Sequence, residues 1–349
     1  MTRISWRDLF PSKFSQVIFV VYILLFVSQG ILVTASQESN NKYDYNIVTV
    51  VLFTEILKLL LSSALYCRKH NPAQLVNEII VNKKVLVLYF VPAFLYCLYN
   101  NLAFVNLSSF DPTTYYLLLQ LRVVVTGILF QVIFGKLLSK KQWLSLIILT
   151  LGCMLKQIPM SEDIESAATE KAKSQSLVLG TNAIFIFIQI FCSCFAGVYN
   201  EYLLKNQGSE VNIFVQNVFM YLDSIICNVI LLAFNGSIAS AFLYENLVKL
   251  LNHKVLLVMT NNAIVGIVTS LFLKTLNSIL KTFASALELV LTALLSWILF
   301  GIPVYLNTAL AIGTVMYAIY LYSQNPVSNS QRNNEKNEDE EGMLQMEEV

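Results

Sequence analysis

Apolar and polar residues alternate in long blocks, with ten apolar runs joined by polar connectors. The runs cover about Gln16–Ala35, Asn46–Tyr66, Val85–Val105, Thr113–Phe134, Gln142–Gln157, Leu177–Leu204, Asn212–Phe234, Val255–Leu273, Ile279–Phe300 and Ile302–Tyr322. Most approach the roughly 20 residues that an α-helix needs to cross about 30 Å of hydrocarbon. Lipid offers the backbone no hydrogen-bond partner, so a spanning run folds as a helix that satisfies its own N–H and C=O groups. The pattern predicts an all-α integral membrane protein with ten transmembrane helices. The spanning domain is expected over residues 16–323, in halves of about 16–158 and 177–323. Residues 1–15 form a polar N-terminal segment, and the Asn/Glu-rich stretch 324–349 reads as a disordered tail. The weakest elements are the short run at Gln142–Gln157 and the tight join at Gly301.

Composition sharpens this picture. Hydrophobic residues make up 56% of the chain and charged residues 13%, against roughly 25% charged in soluble domains. The first run is long for a signal-peptide core and no convincing cleavage site follows, so it is expected to stay as an anchor. A net charge of +1 argues against a nucleic-acid partner. The six cysteines sit in or beside apolar runs without CxxC or Cys/His spacing, and are read as small apolar core residues with no metal site. With the N-terminus cytosolic, cytosolic segments hold fifteen Lys and Arg and the opposite side six, leaving out Lys58 and Arg122 within the membrane. That bias predicts both termini in the cytosol. Sequons at Asn106 and Asn235 then fall on the far side, Asn106 too near the bilayer for glycosylation and Asn235 a candidate acceptor.

A shift of 166 residues lays Asp111–Gly135 on Asn277–Gly301 without gaps, matching six residues, among them Thr126/Thr292, Phe134/Phe300 and Gly135/Gly301. The pair Asn100-Asn101 is echoed by Asn261-Asn262. Ten spans thus divide into two halves of five. Five is odd, so the halves are inverted repeats, an architecture of alternating-access carriers.

Within the runs, Arg122 lies in the middle of the fourth, and an ionisable residue there is functional by default. Tyr115, Leu119, Arg122 and Thr126 share a helical face. The repeat counterpart of Arg122 is Glu288 and that of Tyr115 is Lys281. Arg122 and Lys281 suit an anion, above all a phosphate; an Arg122–Glu288 ion pair between the repeats is the structural alternative. Asn217, Tyr221 and Ser224 line one face beside Asp223, and Tyr96 and Asn100 lie one turn apart. These groups suit either a base and ribose or interhelical hydrogen bonding. Glu55 and Lys58 (i, i+3) and Glu201 and Lys205 (i, i+4) read as local ion pairs, the first also as a possible modulator of binding. Ser193, Ala196 and Gly197 permit close helix contact. The chain has no GxSxG elbow, HExxH, P-loop or DxD sequence, which disfavours an enzyme.

Taken together, TEILKLL, YNNLAFVNL, DPTTYYLLLQLRVVVTGILF, LSKKQWLSLIILTLGC, FAGVYNEYLLK, NVFMYL and SILKTFASA resemble the nucleotide-sugar transporters of the CMP-sialic acid and UDP-galactose branch, from about Phe14 to Tyr322. The resemblance implies a ten-helix drug/metabolite-transporter fold in the Golgi membrane. It implies an antiporter exchanging cytosolic UDP-galactose, or another UDP-sugar, for lumenal UMP. It carries nucleotide binding to Tyr96, Asn100, Tyr115, Arg122, Ser193, Asn217, Tyr221, Thr269, Ser270 and Lys281, with Lys281 the expected phosphate ligand. The sequence departs from the branch at Leu119, where a Tyr is found, and at Glu288, which replaces a small residue. Both departures bear on which sugar is carried. No cofactor is implied. The expected partners are the nucleotide sugar, UMP and the lipid bilayer, with a homo-oligomer left open. The rival readings are a carrier for a different nucleotide sugar or organic anion, and a non-transporting membrane scaffold.

Overall fold

The structure is a computed structural model that describes residues 9–36, 47–109, 112–157, 175–234, 238–300 and 306–327. The Asn235 sequon, most of the loop at 159–176 and the tail beyond 327 lie outside these residues. Among the described residues the secondary structure is helical, without strands. The helices are α1 (Lys13–Ser36), α2 (Ile47–Cys67), α3 (Pro72–Val81), α4 (Lys83–Ser109), α5 (Pro112–Leu119), α6 (Arg122–Phe134), α7 (Lys140–Gln157) and α8 (Gln175–Tyr202). After a π turn at Leu203–Gln207 come α9 (Ile213–Phe234), α10 (Ile238–Ala241), α11 (Tyr244–Leu250), α12 (His253–Thr275), α13 (Ser278–Phe300) and α14 (Leu306–Ser323).

Nine spans among the described residues are long and apolar enough to cross a membrane. The expected fifth span, α7, falls short because Lys140, Lys141 and Lys156 lie within its eighteen residues. It still packs along α14. The last helix is described from Leu306 on; residues 301–305, where the tenth span was expected to start, lie outside the described residues. The basic connector 68–84 contains a helix of its own, α3, with Pro72 in its first turn and Asn71 and Gln74 forming a capping box.

The helix contacts close into a ring: α1, α12, α2, α9, α4, α8, α6, α13 and back to α1. Around it, each helix from the first half of the sequence sits between two from the second. The α7–α14 pair lies outside the ring, against α6 and α13. One large core joins Tyr22, Val123, Leu146, Ile190, Phe272 and Phe283, while Tyr66, Tyr89 and Phe219 centre a smaller one between α2, α4 and α9. Val17, Leu60, Val87, Leu151 and Leu257 are exposed on the flanks, the surface that a membrane-spanning bundle gives to lipid.

Two local features fix helix ends. Gly135 ends α6 in the left-handed region, at φ 65°, which a residue with a Cβ adopts only at a cost. The π turn after α8 closes through the Gly208 amide donating to the Leu203 carbonyl at 2.7 Å. It is held by fully buried Gln216, whose Nε2 donates to the carbonyls of Gly208 (2.7 Å) and Val211 (2.9 Å) while its Oε1 accepts from the Tyr89 hydroxyl at 2.8 Å. Gln216→Leu removes all three bonds and orphans a buried phenol. It is expected to lower stability by about 2–4 kcal/mol. Exposed Gln207→Leu should change it by less than about 0.5 kcal/mol, with both read by thermal unfolding in detergent micelles.

Candidate functional site

The fourth span does not run as one continuous helix. α5 ends at Leu119 and α6 begins at Arg122, with Gln120 and Leu121 forming a turn in mid-span. The amides of Gln120 and Leu121 bond only three residues back, to Leu117 (3.1 Å) and Leu118 (3.0 Å). The Gln120 side chain donates to the Tyr116 carbonyl at 3.1 Å. Apolar periodicity alone misses this break, because the turn keeps the run hydrophobic and satisfies its backbone locally. It leaves Arg122 at the positive end of a half-helix within the membrane span.

α13 meets it from the other half of the chain. Asn277 caps this helix, its Oδ1 accepting from the Leu280 amide at 2.7 Å. Glu201 from α8 adds a second cap: one carboxylate oxygen accepts from the Ser278 amide (2.7 Å) and hydroxyl (2.6 Å). The other pairs with Lys205 at 2.7 Å, and Lys205 also donates to the Leu276 carbonyl at the end of α12. Glu201 and Lys205 are thus the local pair expected, but they also clamp α8 to the ends of α12 and α13. Glu201 is 1% exposed, so these partners stand in for the water its carboxylate has lost. Nearby Lys136, in the connector after α6, is held below the usual lysine pKa by burial and the Lys205 cation, with Glu201 opposing.

Between α6, α8 and α13 lies a cavity of about 110 Å³. Arg122, Gln120 and Thr126 line one side, Ser193, Cys194 and Gly197 another, and Ser278, Lys281, Thr282 and Ser285 the third. Arg122 and Lys281 are close enough to repel each other, and among the described residues no acidic side chain lines the space. Two cations, several hydroxyls and a half-helix end make a receptor for a compact anion such as phosphate. Ligand pockets for drug-sized molecules usually span about 300–1,000 Å³, so the cavity must widen to admit more than the anionic group. Glu288 acts in the same neighbourhood, since both it and Arg122 bear electrostatically on buried Tyr22, whose hydroxyl faces Ser285.

A second polar cluster occupies the opposite arc of the ring. Glu55 and Lys58 pair at 2.6 Å, and Lys58 Nζ lies 5.6 Å from the centroid of the Tyr221 ring. Gly266 of α12 makes this approach possible: a Cβ there would stand 2.8 Å from the Tyr221 oxygen and 3.0 Å from Lys58 Cε. Among the described residues, the Tyr221 hydroxyl, which faces Ser270 without closing a hydrogen bond, and Asn217 Nδ2, one turn away on α9, are buried polar atoms with unmet bonding capacity. Unmade bonds at buried polar groups are costly and call for an explanation.

The remaining expected residues are dispersed. Tyr96 lies against Gly197, its oxygen 3.7 Å from where a Cβ would stand, behind the cavity wall. The Tyr115 hydroxyl accepts from Gln189 at 2.9 Å, and Gln189 accepts from Asn106 at 2.7 Å. Tyr115 is therefore committed to an interhelical network rather than lining the cavity, and the Asn106 side chain is buried. Asn100 is exposed. Thr269 and Ser270 turn their hydroxyls to the carbonyls of Val265 (2.7 Å) and Gly266 (3.4 Å). Sequence reasoning missed Tyr22, Gln120, Ser278, Thr282 and Ser285. The last three could have been found, for they share the face of α13 that carries Lys281.

A sequence model of the nucleotide-sugar transporter family matches residues 11–323. The chain is 58% identical to the UDP-galactose transporter senju of Drosophila melanogaster, covering 93% of this chain and 90% of that protein. It is 30% identical to CMP-sialic acid transporter 1 of Oryza sativa subsp. japonica (84% and 89% covered). It is 32% identical to the UDP-N-acetylglucosamine/UDP-N-acetylgalactosamine transporter nstp-4 of Caenorhabditis elegans (68% and 69% covered). A crystal structure of a protein with 13% identity superimposes at a TM-score of 0.61, over 91% of this chain and 98% of its own, and shares the fold.

The Glu201 clamp can be checked on its own. Glu201→Ala strands the Ser278 amide and Lys205, and is expected to cost about 2–4 kcal/mol. Glu201→Gln, which keeps an acceptor, should cost less than half of that. Equal losses for the two in thermal unfolding would remove the clamp as a positioning device.

Proposed function

The chain belongs to the nucleotide-sugar transporter family, a family of transporters rather than enzymes, and we propose that it carries UDP-galactose from the cytosol into the Golgi lumen in exchange for UMP. The observation that carries this reading is the pair of cations, Arg122 and Lys281, on two facing helices around a cavity with no acid among its described lining residues. They take the phosphates of both nucleotides. Asn217 and Tyr221, buried with unmet bonding capacity across the ring, take the uridine when the cavity widens. Ser193 acts from the cavity wall; Tyr96, Asn100, Thr269 and Ser270 enter the path only as the cavity widens, Tyr115 only if it exchanges its bond with Gln189, and Glu55, Lys58 and Glu288 tune the field. The name of the Drosophila relative supports galactose as the sugar.

The ten-helix, two-repeat arrangement is part of the proposal. The 166-residue shift lays residues 112 and 134, the outer ends of α5–α6, on 278 and 300, the ends of α13. Exchanging the two halves, five spans each, maps the ring of contacts onto itself and the α7–α14 pair onto its own reverse. At 1.5 Å per residue, α7 is about 27 Å long, enough for a tenth crossing. Even span number and the charge bias support both termini in the cytosol. The Glu201–Lys205 clamp closes one end of the site, and rocking of one half against the other opens and closes the ends in turn. Reorienting two unneutralised cations is unfavourable, which couples inward and outward movement. Self-association into a homo-oligomer is compatible with this cycle. A second reading, a different nucleotide sugar as preferred cargo, draws on relatives named for CMP-sialic acid and UDP-N-acetyl sugars.

Purified protein in proteoliposomes tests both. Uptake of UDP-galactose should require UMP inside, and rapid net uptake into vesicles empty of nucleotide would end the exchange proposal. A competition panel of UDP-galactose, UDP-N-acetyl sugars and CMP-sialic acid ranks the cargo. Lys281→Ala and Arg122→Ala should each lower uptake by about 10–100-fold while the protein remains folded, the loss of one charge-assisted contact worth about 1.5–3 kcal/mol. Tyr221→Phe deletes a buried hydroxyl that faces Ser270 without closing a hydrogen bond. It should leave thermal stability unchanged or slightly raised yet weaken UDP binding by about 5–10-fold; unchanged binding would take Tyr221 out of the site.

A further inference from the structure

A second cavity, of about 460 Å³, lies away from the transport site and is lined by Leu65, Tyr66, Arg68, Lys69, His70, Asn212 and Phe214. Its position follows from the chain. Arg68, Lys69 and His70 come directly after the last residue of the Thr49–Cys67 span, and Asn212 directly before the Ile213–Phe234 span. Two helices therefore end at the pocket as they leave the hydrocarbon, and the pocket sits at the membrane boundary. Its chemistry is divided. Leu65, Tyr66 and Phe214 are apolar walls, while Arg68, Lys69 and His70 bring cationic or protonatable groups, with no acid among the lining residues.

The nearby acid is occupied elsewhere. Glu78 of α3 accepts from the Tyr66 hydroxyl at 3.3 Å, and Tyr66 stacks on His70 at 4.6 Å between centroids. Among the described residues, neither Arg68 nor Lys69 has a carboxylate within ion-pair distance. α3 itself is amphipathic. Leu75 turns inward, while Val76 and Ile80 are 57% and 63% exposed, an apolar face on a helix linking two spans at the boundary. Such helices lie in the interface with that face in the acyl region.

We propose that this pocket binds the headgroup of an anionic phospholipid. Arg68, Lys69 and His70 take the phosphate, and Leu65, Phe214 and the exposed face of α3 lie against the glycerol and upper acyl chain. A basic pocket at the ends of spanning helices is suited to such headgroups. A soluble phosphate would satisfy the cations but leave the apolar walls and the face of α3 uncovered. The site shares no residue with the transport cavity and stands whether or not the cargo is UDP-galactose.

Native mass spectrometry of the full chain in detergent, with phosphatidylinositol phosphate or phosphatidylcholine added, reads the site directly. The wild type should retain one phosphatidylinositol phosphate in preference to phosphatidylcholine, and excess glycerol phosphate should not displace it. Arg68→Gln/Lys69→Gln should lower retention by about tenfold or more, whereas Lys140→Gln/Lys141→Gln, at another basic turn, should not. Equal retention of both lipids, displacement by glycerol phosphate, or equal loss in the two double variants would overturn the proposal. A photoactivatable analogue of the same lipid, used on the wild type, is independent of any variant's folding. It should label peptides containing residues 65–70 or 212–214, and labelling confined to other segments would equally overturn the site.

Discussion

Two half-buried positive charges facing one cavity in a membrane protein set the terms for the rest of the molecule. Either alone is costly in hydrocarbon, and together Arg122 and Lys281 repel. The surroundings answer with local devices. α5–α6 breaks before Arg122, and Gln120 satisfies part of the opened turn. α13 begins one turn before Lys281, with its first amides capped by Asn277 and Glu201. Hydroxyls, not carboxylates, fill the lining of the cavity between them. A permanent counter-ion in the lining would lower the cost of the charges and also abolish their demand for a mobile one. Glu288 is near enough to shape the field at Tyr22 but does not line that cavity.

The second arc of the ring follows a different rule. There the charges of Glu55 and Lys58 are already matched, and neutral polar atoms on Asn217 and Tyr221 close no hydrogen bond. Among the described residues, one arc presents cations around a lining without carboxylates, and the other presents buried polar atoms with unmet hydrogen-bonding capacity. A molecule with an anionic end and a polar, aromatic end complements both, which is the chemistry of a nucleotide. Gly266 is what lets these groups meet, since a methyl group in its place would push Lys58 or Tyr221 away.

Much of this was legible before any coordinates. Run length placed most spans within a few residues, because hydrocarbon thickness constrains helices more tightly than intrinsic propensity does. Arg122 and Lys281 stood out because charge is rare at that depth, and both line the cavity. Other features were not legible for physical reasons. The break at Gln120–Leu121 leaves the apolar periodicity intact, so hydropathy passes over it. Tyr115 looks like a ligand residue by its face, yet Gln189, 74 positions away, takes its hydroxyl. Glu201 and Lys205 satisfy the i, i+4 rule, and nothing in that spacing shows that the carboxylate's second oxygen reaches Ser278. Long-range partners of this kind depend on which helices become neighbours, and no local pattern carries that.

The order of helices around the ring has a consequence for how the protein is made. Every ring helix from the first half of the chain has its two ring neighbours in the second half. During synthesis α1, α2, α4 and α6 enter the bilayer before any of those neighbours exists. Arg122 must wait there for α8 and α13, and α1 for α12 and α13. The ring closes only when α13 has been inserted, late in translation. Until then the early helices are held by lipid and the insertion machinery rather than by each other. A ribosome that stops short of α13 therefore leaves behind not half a protein but a set of spans that lack their ring neighbours.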